Sequence, residues 1–143
     1  MILVDTGPFV ALFDPRDSEH KRCREILSST HEPLLTPLPV LTEAFHLLTP
    51  NSTGADRLRD FILAGGASQW FMDHDAAART FELMEQYGDH PMDLADASII
   101  VAAESHAQPR SSRSTWLIFS ATASAEAIAM SKWILSDKFP SPT

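Results

Sequence analysis

The chain reads as an α/β protein built on a mainly parallel sheet with helices on both faces, and three observations carry that reading. Short strand-like apolar runs alternate along the sequence with longer segments of helical periodicity. The first run, Ile2-Leu3-Val4, is continuously apolar with two β-branched members, as in a strand buried on both faces. It stops at an acid, Asp5, before Thr6-Gly7-Pro8 breaks the strand and opens the next element. In an open parallel sheet the carboxyl end of such a strand is where ligands are held. Asp5 also has a purely structural reading, as a turn former or the cap of the next helix.

Phe9 to Phe13 follows as a short apolar helix or turn, and Ser18 to Ser29 as a helix with a polar face. Leu34-Leu35-Thr36 is a brief second strand. Helical spacing then runs from about Pro39 to Leu48, with Pro50 closing the helix. Asp56 to Ala64 places Leu58, Phe61 and Ile62 on one helical face, and Gly65-Gly66 turns the chain. No Lys-Ser/Thr follows those glycines, so they are not a phosphate loop. Ser68 to Met72 is a third strand. Asp75 to Tyr87 is a helix whose apolar set is Ala78, Phe81, Leu83 and Met84, ended by Gly88. Asp93 to His106 is the strongest helical pattern, and Trp116 to Phe119 is the last strand.

With 143 residues, 44% of them hydrophobic, the chain is long enough for one domain with a substantial core, spanning 1–143. No apolar run has the length of a membrane span, and the first residues lack the basic region of a secretory signal. A cytoplasmic protein without membrane contact is expected. The single cysteine, Cys23, excludes an internal disulfide and a cysteine metal cluster, leaving packing as its role. A net charge of −8 argues against non-specific phosphate binding, although a carboxylate site contributes negative charge of its own. The six histidines show no metal-ligand spacing, and the three tryptophans are better placed in a core or interface than in a base-stacking platform.

The chemistry therefore falls to acids. Glu43 lies between Val40 and Leu47 on a helix, where it interrupts or borders an apolar stripe. A charge there is costly unless it is paired, holds a metal or reaches water. Asp93 and Asp96 are three apart on one helical face that continues through Ile100 and Ala103. Asp93 is also a good helix cap, whereas Asp96 heads a stripe suited to close packing and is expected to point inward. Carboxylates on one strand end and two helices are the donor set of a hard cation, Mg²⁺ or Mn²⁺. Without a cation such acids repel one another and some stay protonated. With one bound, water is activated and phosphate oxygens are polarised.

The opening Ile-Leu-Val-Asp5-Thr6, the Leu-Thr-Glu43-Ala helix, and Asp93-Leu-Ala-Asp96-Ala before Ile99-Ile-Val-Ala-Ala103 stand in one order and separation. In these pieces the chain, over about residues 1–106, resembles the PIN domain, and within it the VapC-type toxin nucleases of toxin–antitoxin pairs. The resemblance implies Asp5, Glu43 and Asp96 as the first three catalytic, metal-holding acids and Asp93 as an adjacent metal helper. Thr6 matches the hydroxyl residue after the first acid, with a place at the substrate. The implied function is Mg²⁺-dependent (or Mn²⁺-dependent) endonucleolytic cleavage of RNA by metal-activated water. The implied partners are RNA, a cognate antitoxin protein and a second copy of the chain. The alternative is a PIN-shaped binding module that keeps antitoxin or RNA contacts without catalysis. An aspartyl-phosphate phosphatase is disfavoured, because Asp5-Thr6-Gly7 has no second Asp two residues on.

The resemblance fails at the end. In that family a last strand ends in Thr-x-Asp, followed by Asp-Phe and an Arg-rich segment, whereas here Trp116 to Phe119 runs into Ser120-Ala-Thr-Ala-Ser-Ala. The nearest later acids are Glu126 and Asp137, and Ala123 to Ile134 is simply a good helix former. Residues 111–143 are thus an atypical tail. Reading the third base of each codon with the first two of the next, the genetic code permits IFTLDLADFQRYRIRRGHRYVKVD across residues 110–134. A one-base slip near Arg110 is the expected cause, the alternative being a natural divergent tail.

Overall fold

Strand β1 (Ile2–Val4) lies between β2 (Leu34–Pro37) and β4 (Leu117–Phe119), and β3 (Ser68–Trp70) flanks β2, giving the order β3-β2-β1-β4. The structure, a computed structural model, describes residues 1–87, 92–106 and 117–119. Every ladder is parallel: Leu3 pairs with Leu35 on one side and Ile118 on the other, and Thr36 pairs with Gln69. Parallel neighbours need long crossovers, and helices supply them. The first crossover holds α1 (Thr6–Phe13) and α2 (His20–Ser29), and the second α3 (Leu38–Leu47) and α4 (Thr53–Leu63). The third carries α5 (His74–Gln86) and α6 (Leu94–His106).

Successive strand residues point to opposite faces, so the exposures of Ile2 (9%), Leu3 (0%) and Val4 (1%) require cover on both sides of β1. The main core joins β1 and β2 to Phe9, Val40, Leu41, Leu58, Ile99 and Ala102 from the surrounding helices. A second cluster sits between α5 and α6 around Leu83, Ala97 and Val101. Buried Thr36 gives its hydroxyl proton to the Val4 carbonyl at 3.1 Å, tying β2 to the end of β1.

Side-chain caps fix where the helices start. Asp5 accepts from the Thr6 N–H, Ser52 from Ala55, Asp73 from Ala76, and Asp93 from Asp96. Helix α1 therefore begins at Thr6 rather than Phe9, with Pro8 in the first turn, where no N–H is needed. Helix α4 likewise begins at Thr53 rather than Asp56; α2 begins at His20 rather than Ser18 without a side-chain cap. At the end of α4, Gly66 N–H bonds to Phe61 O and Gly65 N–H to Ile62 O, with Gly65 at φ +81°. That pairing closes a helix with a left-handed residue, as the glycine pair suggests.

Two faces differ from the sequence reading. Ala78 is exposed and Phe81 is 56% exposed, because α5 turns Thr80 and Leu83 inward instead. Leu47 is 56% exposed, and the buried stripe of α3 is Val40, Leu41 and Ala44, continued by Leu48. Strand β3 stops at Trp70, two residues short of Met72. Strand β4 pairs beside β1 as its apolar run suggests. The stop at Gly88, the tail helix over 123–134, Trp116 and Trp133 lie outside the described residues.

Candidate active site

The parallel sheet delivers Asp5 to its carboxyl edge, directly after β1. There Asp5 Oδ1 accepts the Thr6 backbone N–H at 2.7 Å, so the carboxylate is held against the head of α1. The next hydroxyl reaches across to a different element. Thr6 Oγ1 donates to Glu43 Oε2 at 2.6 Å, joining α1 to α3. Thr6 is only 6% exposed, and its proton is used to orient Glu43. Glu43 is half-buried because α3 turns Val40, Leu41 and Ala44 into the core and leaves position 43 at the rim of that stripe.

Helix α6 brings the other two acids. Asp93 Oδ1 accepts the Asp96 N–H at 2.9 Å and caps the helix. Asp96 was expected to point inward; instead it is exposed, and so is Asp93. Helix α6 is buried on most of its circumference, through Ala95, Ala97, Ser98 and Ile99, and position 96 takes the open side, with Ile100 half-buried. Loss of water around the Asp96 carboxyl pushes its pKa up, and the charges of Asp93, Asp5 and Glu43 push it in the same direction. A backbone hydrogen bond from Asp93 partly offsets the rise. The four sequence-predicted acids therefore share one electrostatic neighbourhood, drawn from a strand end and two helices.

The donor set fits a hard dication by its chemistry. It consists of carboxylate oxygens only, they repel one another, and two of the acids lie on the open side. As the side chains stand, no group of three or more His, Cys, Asp or Glu among the described residues is arranged to hold a metal ion. What sequence reasoning missed is the Thr6–Glu43 bond. The residues lie 37 apart, and a Thr following an Asp carries no signal of a partner on another helix.

Fold and acids together define an α/β domain with an acidic site at the carboxyl edge of a parallel sheet. The chain belongs to the PIN domain family, whose profile matches residues 2–112. Six solved chains resemble it in structure. Among them, Mycobacterium tuberculosis VapC20, described as a sarcin-ricin loop cleaving toxin, aligns with a TM-score of 0.68 at 20% identity, covering 73% of this chain and 82% of its own. At that identity the likeness is one of fold. No curated protein matches the chain in sequence. Among the described residues no helix is long and apolar enough to cross a membrane.

Proposed function

We propose that this PIN domain is a Mg²⁺-dependent (or Mn²⁺-dependent) endoribonuclease of the VapC toxin type, acting in the cytoplasm. The feature that carries the reading is the placement of Asp5 directly after β1, Glu43 on α3 and Asp93 with Asp96 at the head of α6, with the charges of the other three acting on Asp96. The charge of Asp96, which the three neighbouring acids oppose, is relieved by a cation. Asp5, Glu43 and Asp96 would hold the metal, with Asp93 beside them. A bound dication would supply Lewis-acid stabilisation of phosphate charge and a more acidic water. The chain's own residues do the positioning. Thr6 fixes the Glu43 rotamer, the α1 head fixes Asp5, and the Asp93 cap fixes the first turn of α6. The exposure of Asp93 and Asp96 leaves that side open to an RNA backbone. Substrate contact by Thr6 itself requires the hydroxyl to keep Glu43 as its acceptor and use its lone pairs. An antitoxin and a second copy of the chain are the proposed protein partners.

The experiment is cleavage of labelled RNA by purified protein. Cleavage should need Mg²⁺ or Mn²⁺, stop with chelator, and disappear in Asp5→Asn and Asp96→Asn, which keep shape and remove charge. Full activity in chelator would sink the metal reading. One observation favours a second reading. The residue after β4 is Ser120, so no acid follows that strand, and a catalytically impaired module would bind RNA or antitoxin without cutting.

A further inference from the structure

We infer that the coding sequence has slipped by one base near Arg110, and that the neighbouring frame still encodes the missing edge of this site: a strand-end acid and a basic segment. The inference deepens the nuclease reading and rests on it only for the role of the acid.

Strand β4 lies parallel to β1 with Val4 opposite Phe119, and in the sequence β1 runs on into an acid, Asp5, whereas β4 runs on into Ser120. The three other acid-bearing positions come from β1, α3 and α6; the chain supplies Ser120 after β4, and the next acid is Glu126. Family likeness stops close to Arg110. The profile matches 2–112 and ends two residues beyond Arg110. Ten residues lie between His106 of α6 and Leu117 of β4 in the sequence, against the roughly 2–6 usual between a helix and the next strand. In the shifted frame the code permits Ile-Phe-Thr-Leu-Asp directly after Arg110. That restores a short connection and repeats the plan of β1, apolar residues ending in an acid.

The genetic code allows this reading without exception from residue 110 to 134, and some junctions are tightly constrained. Trp133 with Ile134 yields only Asp, Met130 with Ser131 only Val or Glu, and Trp116 with Leu117 only Ala or Val. The permitted string IFTLDLADFQRYRIRRGHRYVKVD is rich in Arg where the present chain has few basic residues. A protein of net charge −8 gains there the cations that phosphate binding needs.

The first test is the nucleotide sequence of codons 110–134 read in the shifted frame. It should be open and give Thr-Leu-Asp. A stop codon, which the junction of Ala125 with Glu126 permits, or any residue other than an acid after Thr-Leu, overturns the inference. The second test compares the present chain with a one-base-restored version by thermal melting in a Mg²⁺ titration. The restored chain should bind Mg²⁺ roughly tenfold more tightly, the order expected for a recovered coordination partner. Equal Mg²⁺ responses overturn it. RNA cleavage separates the two readings: an open Thr-Leu-Asp frame with tighter Mg²⁺ binding but no cleavage keeps the slip and removes the nuclease.

Discussion

Asp96 is under opposing demands. Partial loss of water and three neighbouring carboxylates raise its pKa, so the folded state holds a proton that the unfolded chain releases. Stability contributed this way is present at low pH and is lost as pH rises from the ordinary value of 3.8 through the raised folded value. In chelator, Asp96→Asn should therefore melt a few degrees above the parent at neutral pH. It should also show a flatter pH dependence above the ordinary carboxyl value of 3.8. Added Mg²⁺ should raise the melting temperature of the parent and leave the variant nearly unchanged. A variant less stable than the parent in chelator would show that the acids do not strain the fold. All four acids were legible in the sequence, because each ends a strand, caps a helix or borders an apolar stripe. The outward side of Asp96 was not, since α6 is buried nearly all round and its pattern gives no unique inner face. Thr6→Val tests the hidden bond. It removes one donor to Glu43 and should cost about 1 kcal/mol in melts, with a loss of Mg²⁺ affinity.

The elements were legible in number and order. The starts of α1, α4 and α5 moved because a side-chain cap overrode local propensity. Thr53-Gly54 reads as loop because glycine is a poor helix former, yet α4 begins there. The reason is contact with α1: a Cβ at Gly54 would lie 2.8 Å from the Phe13 carbonyl oxygen and 3.2 Å from Leu48. Backbone cannot yield as a side chain can. Gly54→Ala should thus destabilise by about 1–3 kcal/mol despite the better helix propensity of Ala, measured by denaturant unfolding. A stabilised variant would mean that α1 and α4 separate easily. Arg79 offers the contrasting case. It grips Glu104 through two bonds of 3.1 Å, but both side chains are more than a third exposed. Arg79→Ala should cost about 1 kcal/mol or less.

At the scale of the molecule, α6 is shared by the sheet core and the α5 cluster. Its Ile99 and Ala102 face the sheet core, while Ala97 and Val101 face Leu83 of α5. The same helix carries Asp93 and Asp96, so core packing and site geometry are fastened to one rod. Leu83→Ala leaves a cavity at a fully buried position and should cost roughly 2–5 kcal/mol. Because α6 bridges the clusters, melting should remain a single transition detected alike by circular dichroism and tryptophan fluorescence. Two separated transitions would show that the α5 side opens on its own. The parallel topology followed from the alternation of strands and helices. The strand order did not, because pairing between β1 and β4 joins residues more than a hundred apart and leaves no local trace.

The lone thiol offers a clock. Cys23 is 2% exposed, packed on Ala11 and Leu12 between α1 and α2, and burial followed by the charges of Glu19 and Asp17 pushes its pKa up. A maleimide or disulfide reagent can react there only when the α1–α2 hairpin opens, so the labelling rate counts openings. Helix α1 is capped by Asp5, which makes those openings answer to whatever Asp5 holds. Mg²⁺ should slow Cys23 labelling in the parent and not in Asp5→Asn. Occupancy of the site is then readable in a protein that never cuts a strand of RNA.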